Sequence, residues 1–151
     1  MTGMKFQFIA PEGPDYEAER MLRWEILRKP LGLPPGSELD PEDPKSLHLV
    51  AIDRKQIVGC VCFFPESKEA GRIFQMALSE EYQGKGFGRK LLYALEVALA
   101  EQGFVLAEVV ARQESQGFYR KMGYHPDGDA QLRFGISFQR MCKTLLVKSE
   151  K

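Results

Sequence analysis

The chain has 151 residues, which is the usual length of one domain and is long enough to bury a sizeable core. Its 21 acidic and 21 basic side chains cancel, so we expect neither nucleic acid nor an anionic membrane as a partner. Charges and prolines interrupt the first 20 residues and no later run approaches membrane-spanning length, so we expect a cytoplasmic protein.

The first predicted elements are a short strand and a helix. Alternating polar and apolar residues predict a strand over 5–9. A helix is predicted over 15–28, with Asp15 as a candidate cap, until Pro30 and Gly32 stop it. Helical spacing links four apolar residues of this segment: Ala18, Met21, Leu22 and Ile26. Its other face carries the charged residues Glu17, Arg20, Arg23 and Arg28.

Residues 30–44 hold five prolines and four acidic residues, which predicts an irregular loop near the surface rather than a part of the core. A long loop inside a compact domain is often functional. Two β-branched and apolar runs follow, over 47–53 and 57–64, and their short separation predicts a hairpin. Cys60 and Cys62 fall on one face of its second strand, which is poor geometry for a mutual disulfide. We interpret the cysteines as reduced core thiols and expect no metal.

The second half of the chain alternates strands with helices. The predicted strands cover 73–78, 104–111 and 136–147. The predicted helices cover 87–102 and 115–122, and a glycine follows each of them closely. Strand–helix–strand units beside a hairpin imply a mixed sheet covered by helices, an α/β architecture in the broad sense.

A glycine-rich motif, Gln83-Gly84-Lys85-Gly86-Phe87-Gly88, lies between a predicted strand and a predicted helix. A glycine turn at a helix N-terminus offers unpaired backbone N–H groups to an anion such as pyrophosphate. A Walker loop would need Lys-Ser or Lys-Thr after the glycines, and a Rossmann fingerprint would need glycine where Arg89 stands. Both signatures match poorly, so the motif indicates a different phosphate-bearing cofactor.

The spacing Gln83-x-x-Gly86-x-Gly88 resembles the acyl-CoA loop of the GNAT N-acetyltransferases. One helix and one strand later, residues 117–124 resemble the Phe-Tyr-x-x-x-Gly-Phe segment of the same superfamily. The first helix and the loop after it are similar to the ElaA-like branch, although Phe138 stands where histidine is expected. Arg112 departs from the wider family, which often has asparagine at that position. The resemblance implies a mixed α+β GNAT acyl-CoA N-acyltransferase fold over 1–151, a single domain. Its mostly antiparallel central sheet would have six or seven strands and about four flanking helices.

The resemblance also implies that acetyl-CoA is the cofactor and that a set of residues binds it. Glycines of the loop would bring backbone N–H groups to the pyrophosphate, and Lys85 or Arg89 would add charge. The strand before the loop would pair with pantetheine through its main chain, with one N–H facing the thioester oxygen. The full cofactor set is Met76, Ala77, Leu78, Gln83, Gly84, Lys85, Gly86, Phe87, Gly88, Arg89 and Phe118.

Tyr119 occupies the position of the general acid in the resembled family. A phenol of pKa about 10 can protonate a thiolate of pKa about 8.5 at modest cost. The alternative role is aromatic packing beside Phe118. The candidates for contacting the amine are Glu38, Asp40 and His48. The candidates for the general base are the same three residues and Asp43. A solvated acidic loop and a histidine at a strand start are the plainer readings.

The implied activity is direct transfer of acetyl from acetyl-CoA to a primary amine, on a small molecule or a peptide. A non-catalytic acyl-CoA-binding regulatory module is the alternative function, and a structural domain with a glycine turn is a third. The long last strand could pair with the sheet edge of a second copy, which would give a homodimer.

Overall fold

The computed structural model describes residues 3–133 and 135–145, and these contain eight strands and three α-helices. By its internal contacts the chain divides into two compact units. Unit 1 comprises residues 1–64 and 75–96, and unit 2 comprises residues 65–74 and 97–151. The single domain over 1–151 stays a prediction.

The sheet of unit 1 begins with an antiparallel meander of β1 (Lys5–Ile9), β2 (Leu47–Asp53) and β3 (Gln56–Pro65). The β2–β3 hairpin was predicted and is confirmed. Its turn residues Arg54 and Lys55 have φ of +53° and +66°, the geometry of a primed turn that follows the right-handed twist of the strands.

The first helix, α1, spans Pro14–Arg23 and continues as a π-helical turn over Trp24–Arg28. Asp15 was predicted as its cap, and this is wrong: Gly13 is the cap residue and Pro14 is the first helical residue. Proline suits that position because its missing N–H would have no helical partner there. As predicted, the helical segment stops near Pro30 and Gly32, and Gly32 takes a φ of +75°.

The core of unit 1 joins α1 to the sheet. Leu22 of the helix packs with Val50, Cys60 and Ala77, all of them at most 5% exposed. Ala77 belongs to β4 (Ala70–Leu78), whose last four residues lie in unit 1. The helix α2 (Phe87–Glu101) then begins, and the predicted apolar stripe is buried at Leu91, Leu92 and Leu95.

Unit 2 contains β5 (Leu106–Arg112), α3 (Gln113–Lys121), β6 (His125–Pro126), β7 (Gln131–Arg133) and β8 (Ile136–Thr144). The first part of β4 pairs with β5 in parallel, and β5 pairs with β8 antiparallel. The short strands β6 and β7 both pair antiparallel with β8. The predicted last strand is confirmed to Thr144, while its residues 146–147 lie outside the described residues.

The predicted fold class, a mixed and mostly antiparallel sheet with helices, is confirmed. The described residues hold eight strands rather than six or seven. The additional strands β6 and β7 are so short, and lie so close to turn residues, that the sequence pattern does not indicate them. They hold three α-helices rather than about four, since the segment after α1 forms π and 3₁₀ turns. Within residues 3–133 and 135–145, no helix combines the length and the apolar character of a membrane span.

Candidate active site

The glycine motif forms a short connection from β4 to α2. After Leu78 the chain makes a 3₁₀ turn over Glu80–Tyr82, and the N–H of Gln83 closes it on the Glu80 carbonyl at 3.1 Å. The side-chain amide of Gln83 donates to the carbonyl of Leu78 at 2.9 Å. This bond ties the start of the loop to the end of β4.

Two glycines of the loop hold left-handed backbone conformations. Gly84 has φ of +72° and Gly86 has φ of +87°, which L side chains rarely adopt. An ideal Cβ at either position would meet no atom within 4 Å. These glycines are therefore required by backbone conformation, and the space beside them is open.

The loop also presents a row of backbone donors. Among the described residues, the N–H groups of residues 84–89 have no acceptor, and the first helical bond of α2 runs from the Lys90 N–H to the Gly86 carbonyl at 3.2 Å. Lys85 and Arg89 are exposed on either side of Gly86. Free N–H groups, the positive end of a helix dipole and two cations together favour a bound anion.

The end of β4 lies close to β3 inside unit 1. The N–H of Ser79 donates to the Val58 carbonyl at 2.8 Å. A Cβ on the neighbouring Gly59 would lie 2.7 Å from Leu78 Cδ2, so only glycine fits there without a shift. Close packing of these strands holds Met76, Ala77 and Leu78 in place beside the loop.

Unit 1 also has an open pocket of about 740 Å³ next to the loop. Carboxylates, one amine and small polar groups line it, so its charge is mixed. The lining residues are Glu25, Ile26, Lys29, Pro30, Ser79, Glu80, Glu81 and Gln83. Its volume is in the range of small-molecule sites.

The loop over 30–44 was predicted to lie near the surface, and for two of its acids this is wrong. Glu38 is 3% exposed and Asp43 is 2% exposed. The cause is the guanidinium of Arg23, which lies 3.0 Å from Asp43 Oδ2 and donates to the backbone carbonyl of Glu38. The Glu38 carboxylate itself pairs with Arg20 at 3.1 Å and accepts from the N–H of Gly36 at 2.8 Å.

Four charged groups form a buried network around Arg23. Glu19 Oε2 lies 2.8 Å from Arg23 Nη1 and 3.0 Å from His48 Nδ1, and all three side chains are fully buried. Tyr16 donates its hydroxyl proton to Asp43 Oδ2 at 2.6 Å. Two carboxylates thus offset two cations when His48 is protonated.

Both ring nitrogens of His48 lie within hydrogen-bonding distance of an oxygen acceptor. Nε2 lies 2.9 Å from the Asp43 carbonyl and Nδ1 lies 3.0 Å from the Glu19 carboxylate, and both oxygens are acceptors. Burial alone would lower the pKa of His48, but the bonds to Glu19 and Asp43 outweigh it and raise the pKa. Burial would likewise raise the pKa of Glu19, yet His48 and Arg23 hold it below its usual value.

Cys62 lies against the same pair, with Sγ 3.3 Å from His48 Nδ1 and 3.4 Å from Glu19 Oε2. Burial and the Glu19 charge raise the pKa of this thiol, which keeps it neutral. Ligand atoms of Glu19, His48 and Cys62 all lie within 4.8 Å of one another, a donor set that a metal ion could use. In this structure the guanidinium of Arg23 is a positive charge in direct contact with the Glu19 carboxylate. The prediction of reduced core thiols is confirmed for Cys60 and Cys62, whereas Cys142 is free but only partly buried, so its placement in the core is wrong.

The structure places the three predicted acceptor residues differently. His48 and Glu38 are both buried, and both carry hydrogen-bond partners from this region of unit 1. Asp40 is partly exposed, and its Oδ1 accepts the N–H of Glu42 at 2.8 Å in a local turn. Of the three, Asp40 is the most open to solvent.

The predicted acid, Tyr119, lies in unit 2 on α3. Its side chain is 6% exposed and meets Phe118 and Tyr124 edge to face, with ring centroids 5.1 and 5.6 Å apart. Burial raises the pKa of the phenol. Tyr119 therefore stays protonated at neutral pH, which is the state that a proton donor needs.

Sequence reasoning missed the burial of Glu19 and Arg23 and the bond from the Gln75 amide to the Glu38 carbonyl. Arg23 was assigned to the charged outer face of the first helix, but its side chain is fully buried. The i, i+4 spacing of Glu19 and Arg23 was the available signal, although the same spacing is common on exposed helix faces. Gln75 lies within the mostly apolar strand β4, where its φ is +54°, and nothing in the local pattern indicates this backbone conformation.

Comparison with known proteins gives this arrangement a family. A model described as the acetyltransferase (GNAT) domain matches residues 44–126, which is over half of the chain. The match covers the glycine loop and the Tyr119 segment. The chain belongs to the GNAT acetyltransferase family. As a GNAT enzyme it is an N-acetyltransferase that uses acetyl-CoA as the acetyl donor.

Several individual proteins are similar to this GNAT chain. An uncharacterized acetyltransferase in the arcA 3′ region of Streptococcus pyogenes is 29% identical over 105 residues, or 70% of this chain and 72% of that protein. The structure of Escherichia coli ElaA is similar with a TM-score of 0.80 at 17% identity, over 93% of this chain and 99% of ElaA. An acyl-CoA N-acyltransferase from Pseudomonas aeruginosa also has a TM-score of 0.80, at 19% identity and over 93% and 99% of the two chains. The two structural likenesses establish the fold.

Proposed function

We propose that this GNAT enzyme moves acetyl from acetyl-CoA to a primary amine by direct attack, with no covalent enzyme intermediate. The observation that carries the proposal is the row of unpaired N–H groups over residues 84–89 at the start of α2. A pyrophosphate needs several donors converging on one point, and this loop supplies them from the backbone. The acceptor is the amine of a small molecule or a peptide.

The proposed cofactor residues form two groups, one that binds the phosphates and one that binds pantetheine. Backbone N–H groups from Gly84 to Gly88 hold the pyrophosphate, and Lys85 and Arg89 add charge. Gln83 orients the loop through its bond to Leu78 and keeps one N–H of its amide for the ligand. The main chain of 76–78 pairs with pantetheine, and one of its N–H groups polarises the thioester carbonyl. Phe87, the first residue of α2, and Phe118 of α3 complete the proposed cofactor set.

Tyr119 is the proposed general acid. When the amine nitrogen bonds to the thioester carbon, the carbon–sulfur bond breaks and sulfur leaves with the electron pair. The phenol then supplies the proton that turns the thiolate into the CoA thiol. Burial keeps the phenol protonated before that step.

The acceptor side is proposed to involve Glu38, Asp40 and His48. His48 and Glu38 act indirectly, by fixing the loop over 30–44, because their charged groups are already paired inside the protein. Asp40 is the member that can reach a cationic ligand, since its carboxylate is partly exposed. Its negative charge would draw an ammonium to the site before deprotonation.

The test is an amine panel assayed for release of the CoA thiol from acetyl-CoA and for the acetylated product by mass spectrometry. The proposal predicts turnover of at least one primary amine and none of tertiary amines, which cannot give a neutral amide. Tyr119→Phe should lower kcat and leave CoA affinity unchanged. Binding of CoA without turnover of any amine would instead support the regulatory module. If the protein does not bind CoA at all, both the acetyltransferase proposal and the regulatory module are refuted.

A further inference from the structure

Tyr82 directly precedes the glycine loop, and its hydroxyl joins that loop to a distant part of unit 1. It ends the 3₁₀ turn over Glu80–Tyr82, and the N–H of the next residue, Gln83, closes that turn. The hydroxyl donates to Asp53 Oδ2 at 2.6 Å, across 29 positions of the chain. Asp53 is the last residue of β2, in the hairpin with β3. One side-chain bond thus joins the start of the loop to the sheet.

The same tyrosine also contacts the far end of the loop. Its ring meets Phe87, the first residue of α2, edge to face, with ring centroids 5.6 Å apart. Aromatic pairs of this kind favour a defined geometry and contribute beyond the area that they bury. Residues 83–86 therefore connect two residues, Tyr82 and Phe87, whose side chains are in contact. The loop is closed by this contact and is fixed to the sheet through Asp53.

Asp53 is an unusual partner for this bond because its carboxylate is nearly buried, in a residue that is 4% exposed. Among the described residues, no donor reaches its Oδ1, whereas Oδ2 accepts the Tyr82 hydroxyl. The bond to Asp53 raises the pKa of the Tyr82 phenol, which therefore stays a proton donor at neutral pH. A buried carboxylate oxygen without a partner costs free energy, so stability alone does not account for an acid at this position.

The loop that these contacts fix is the one that offers backbone N–H groups over 84–88. A flexible loop loses conformational freedom when it binds a ligand, whereas a loop that is already fixed loses less. Glycine has the most freedom to lose, and two glycines with positive φ, Gly84 and Gly86, lie between Tyr82 and Phe87. Contacts that fix both ends of the loop therefore lower the cost of bringing several N–H groups to one anion.

We propose that Asp53 is a positioning residue for the acetyl donor, because through Tyr82 it holds the N–H groups of 84–88 in the arrangement that binds pyrophosphate. This inference rests on the proposed function, since it takes the pyrophosphate of acetyl-CoA as the ligand of the loop. Neither side chain needs to touch the cofactor. Asp53 and Tyr82 act as one unit, so removing either of them has the same effect as removing both.

The experiment measures the affinity for coenzyme A by titration calorimetry in Tyr82→Phe, Asp53→Ala and the double variant. Tyr82→Phe keeps the ring beside Phe87 and removes only the hydroxyl. We expect each single variant to bind coenzyme A about three- to tenfold more weakly, the effect of one lost hydrogen bond. The double variant should bind no more weakly than the single variants. Asp53→Asn should keep most of the affinity, because its amide oxygen still accepts the tyrosine proton.

Tyr16→Phe is the matched control that separates positioning from a general loss of stability. Tyr16 forms a bond of the same kind and length in unit 1, from its hydroxyl to Asp43 Oδ2 at 2.6 Å. Its affinity for coenzyme A should stay within about twofold of the wild type, because the lost bond lies outside the loop. All titrations are made at a temperature where circular dichroism shows each variant to be folded. Equal losses of affinity in Tyr16→Phe and Tyr82→Phe would overturn the inference.

The remaining outcomes separate this inference from the proposed function. If the wild type, Tyr82→Phe and Asp53→Ala all bind coenzyme A equally well, the inference is refuted and the proposed function stands. Losses that add in the double variant would also refute the inference, because they would show that the two side chains act independently. If the wild type does not bind coenzyme A, the proposed function and the inference are both refuted.

Discussion

Replacing Arg23 by methionine should be among the most damaging single changes in unit 1. The guanidinium is fully buried and pairs with Glu19 at 2.8 Å and Asp43 at 3.0 Å. Arg23→Met keeps the apolar length of the side chain but leaves two carboxylates with one cation, His48, between them. Removing one partner of a buried ion pair costs about 3–5 kcal/mol, because the remaining charge is uncompensated.

The matched control is Arg20→Met on the same helix. Arg20 also pairs with a carboxylate, Glu38, at 3.1 Å, but its side chain is 32% exposed. Exposed ion pairs contribute about 1 kcal/mol or less, so the control should lose little stability. For a domain of this length each kcal/mol shifts the midpoint by about 2–4 °C. We therefore expect Arg23→Met to lower the midpoint by about 6–20 °C and Arg20→Met by less than about 4 °C.

The assay is equilibrium unfolding in urea, followed by circular dichroism, with thermal melts alongside. Both variants should fold at low temperature, since the free energy of unfolding of a native domain is typically about 5–15 kcal/mol. An Arg23→Met loss no larger than that of Arg20→Met would refute the reasoning. It would mean that Arg23 lies in water in solution or that the two carboxylates bind protons without cost.

Two further predictions concern pH and glycine. Because the pKa of His48 is raised on folding, its stabilisation is full below its usual pKa of 6.5 and is lost as pH rises through the folded value. The stability gap between wild type and His48→Gln, from urea melts at several pH values, should therefore shrink towards alkaline pH; a gap that widens contradicts this. Gly59→Ala should cost about 1–3 kcal/mol, since its Cβ would lie 2.7 Å from Leu78 Cδ2 and 3.2 Å from Ala51 Cβ, which has no rotamer to move away. Gly117→Ala on α3 meets nothing within 4 Å and should stabilise by about 0.5–1 kcal/mol; equal effects at both glycines would contradict the packing argument.

The parts of the site that sequence predicts are those with local chemistry. Gly84 and Gly86 indicate a turn, because glycine adopts the positive φ of both positions far more readily than other residues do. Helical periodicity after Phe87 places an N-terminus beside that turn. The position and backbone geometry of the loop could therefore be predicted from the residues alone, and its proposed anion-binding role is inferred from the same local features. Such features depend on neighbours in the chain, which the sequence displays directly.

The buried network could not be predicted because it depends on partners far apart in the chain. Glu19 and His48 are 29 residues apart, and Glu38 and Gln75 are 37 residues apart. An i, i+4 pair of Glu19 and Arg23 has the same appearance whether it faces water or the core. Prolines mark residues 30–44 as a loop correctly, but composition does not reveal that Arg23 draws Glu38 and Asp43 inward.

The unusual φ of Gln75 is hidden for a similar reason. Glutamine between Phe74 and Met76 fits an ordinary half-buried strand, yet Gln75 has a φ of +54° and its side chain donates to the carbonyl of Glu38, 37 residues away. A backbone outlier at a residue with a side chain is a tertiary property. The residues proposed to bind the acetyl donor could be named from the sequence, whereas the buried network around Arg23 needed the three-dimensional contacts.

The central claim, that the loop over 83–88 holds the acetyl donor, is tested most directly by titration calorimetry with coenzyme A. We expect one site per chain in the wild type and a loss of affinity of at least about tenfold in Gly86→Val, where a β-branched residue cannot adopt a φ of +87° without strain. Gly36→Val is the control, because Gly36 also has a positive φ, of +100°, but lies outside the loop. Equal affinity in the wild type and Gly86→Val, or no binding of coenzyme A by the wild type, would contradict the account.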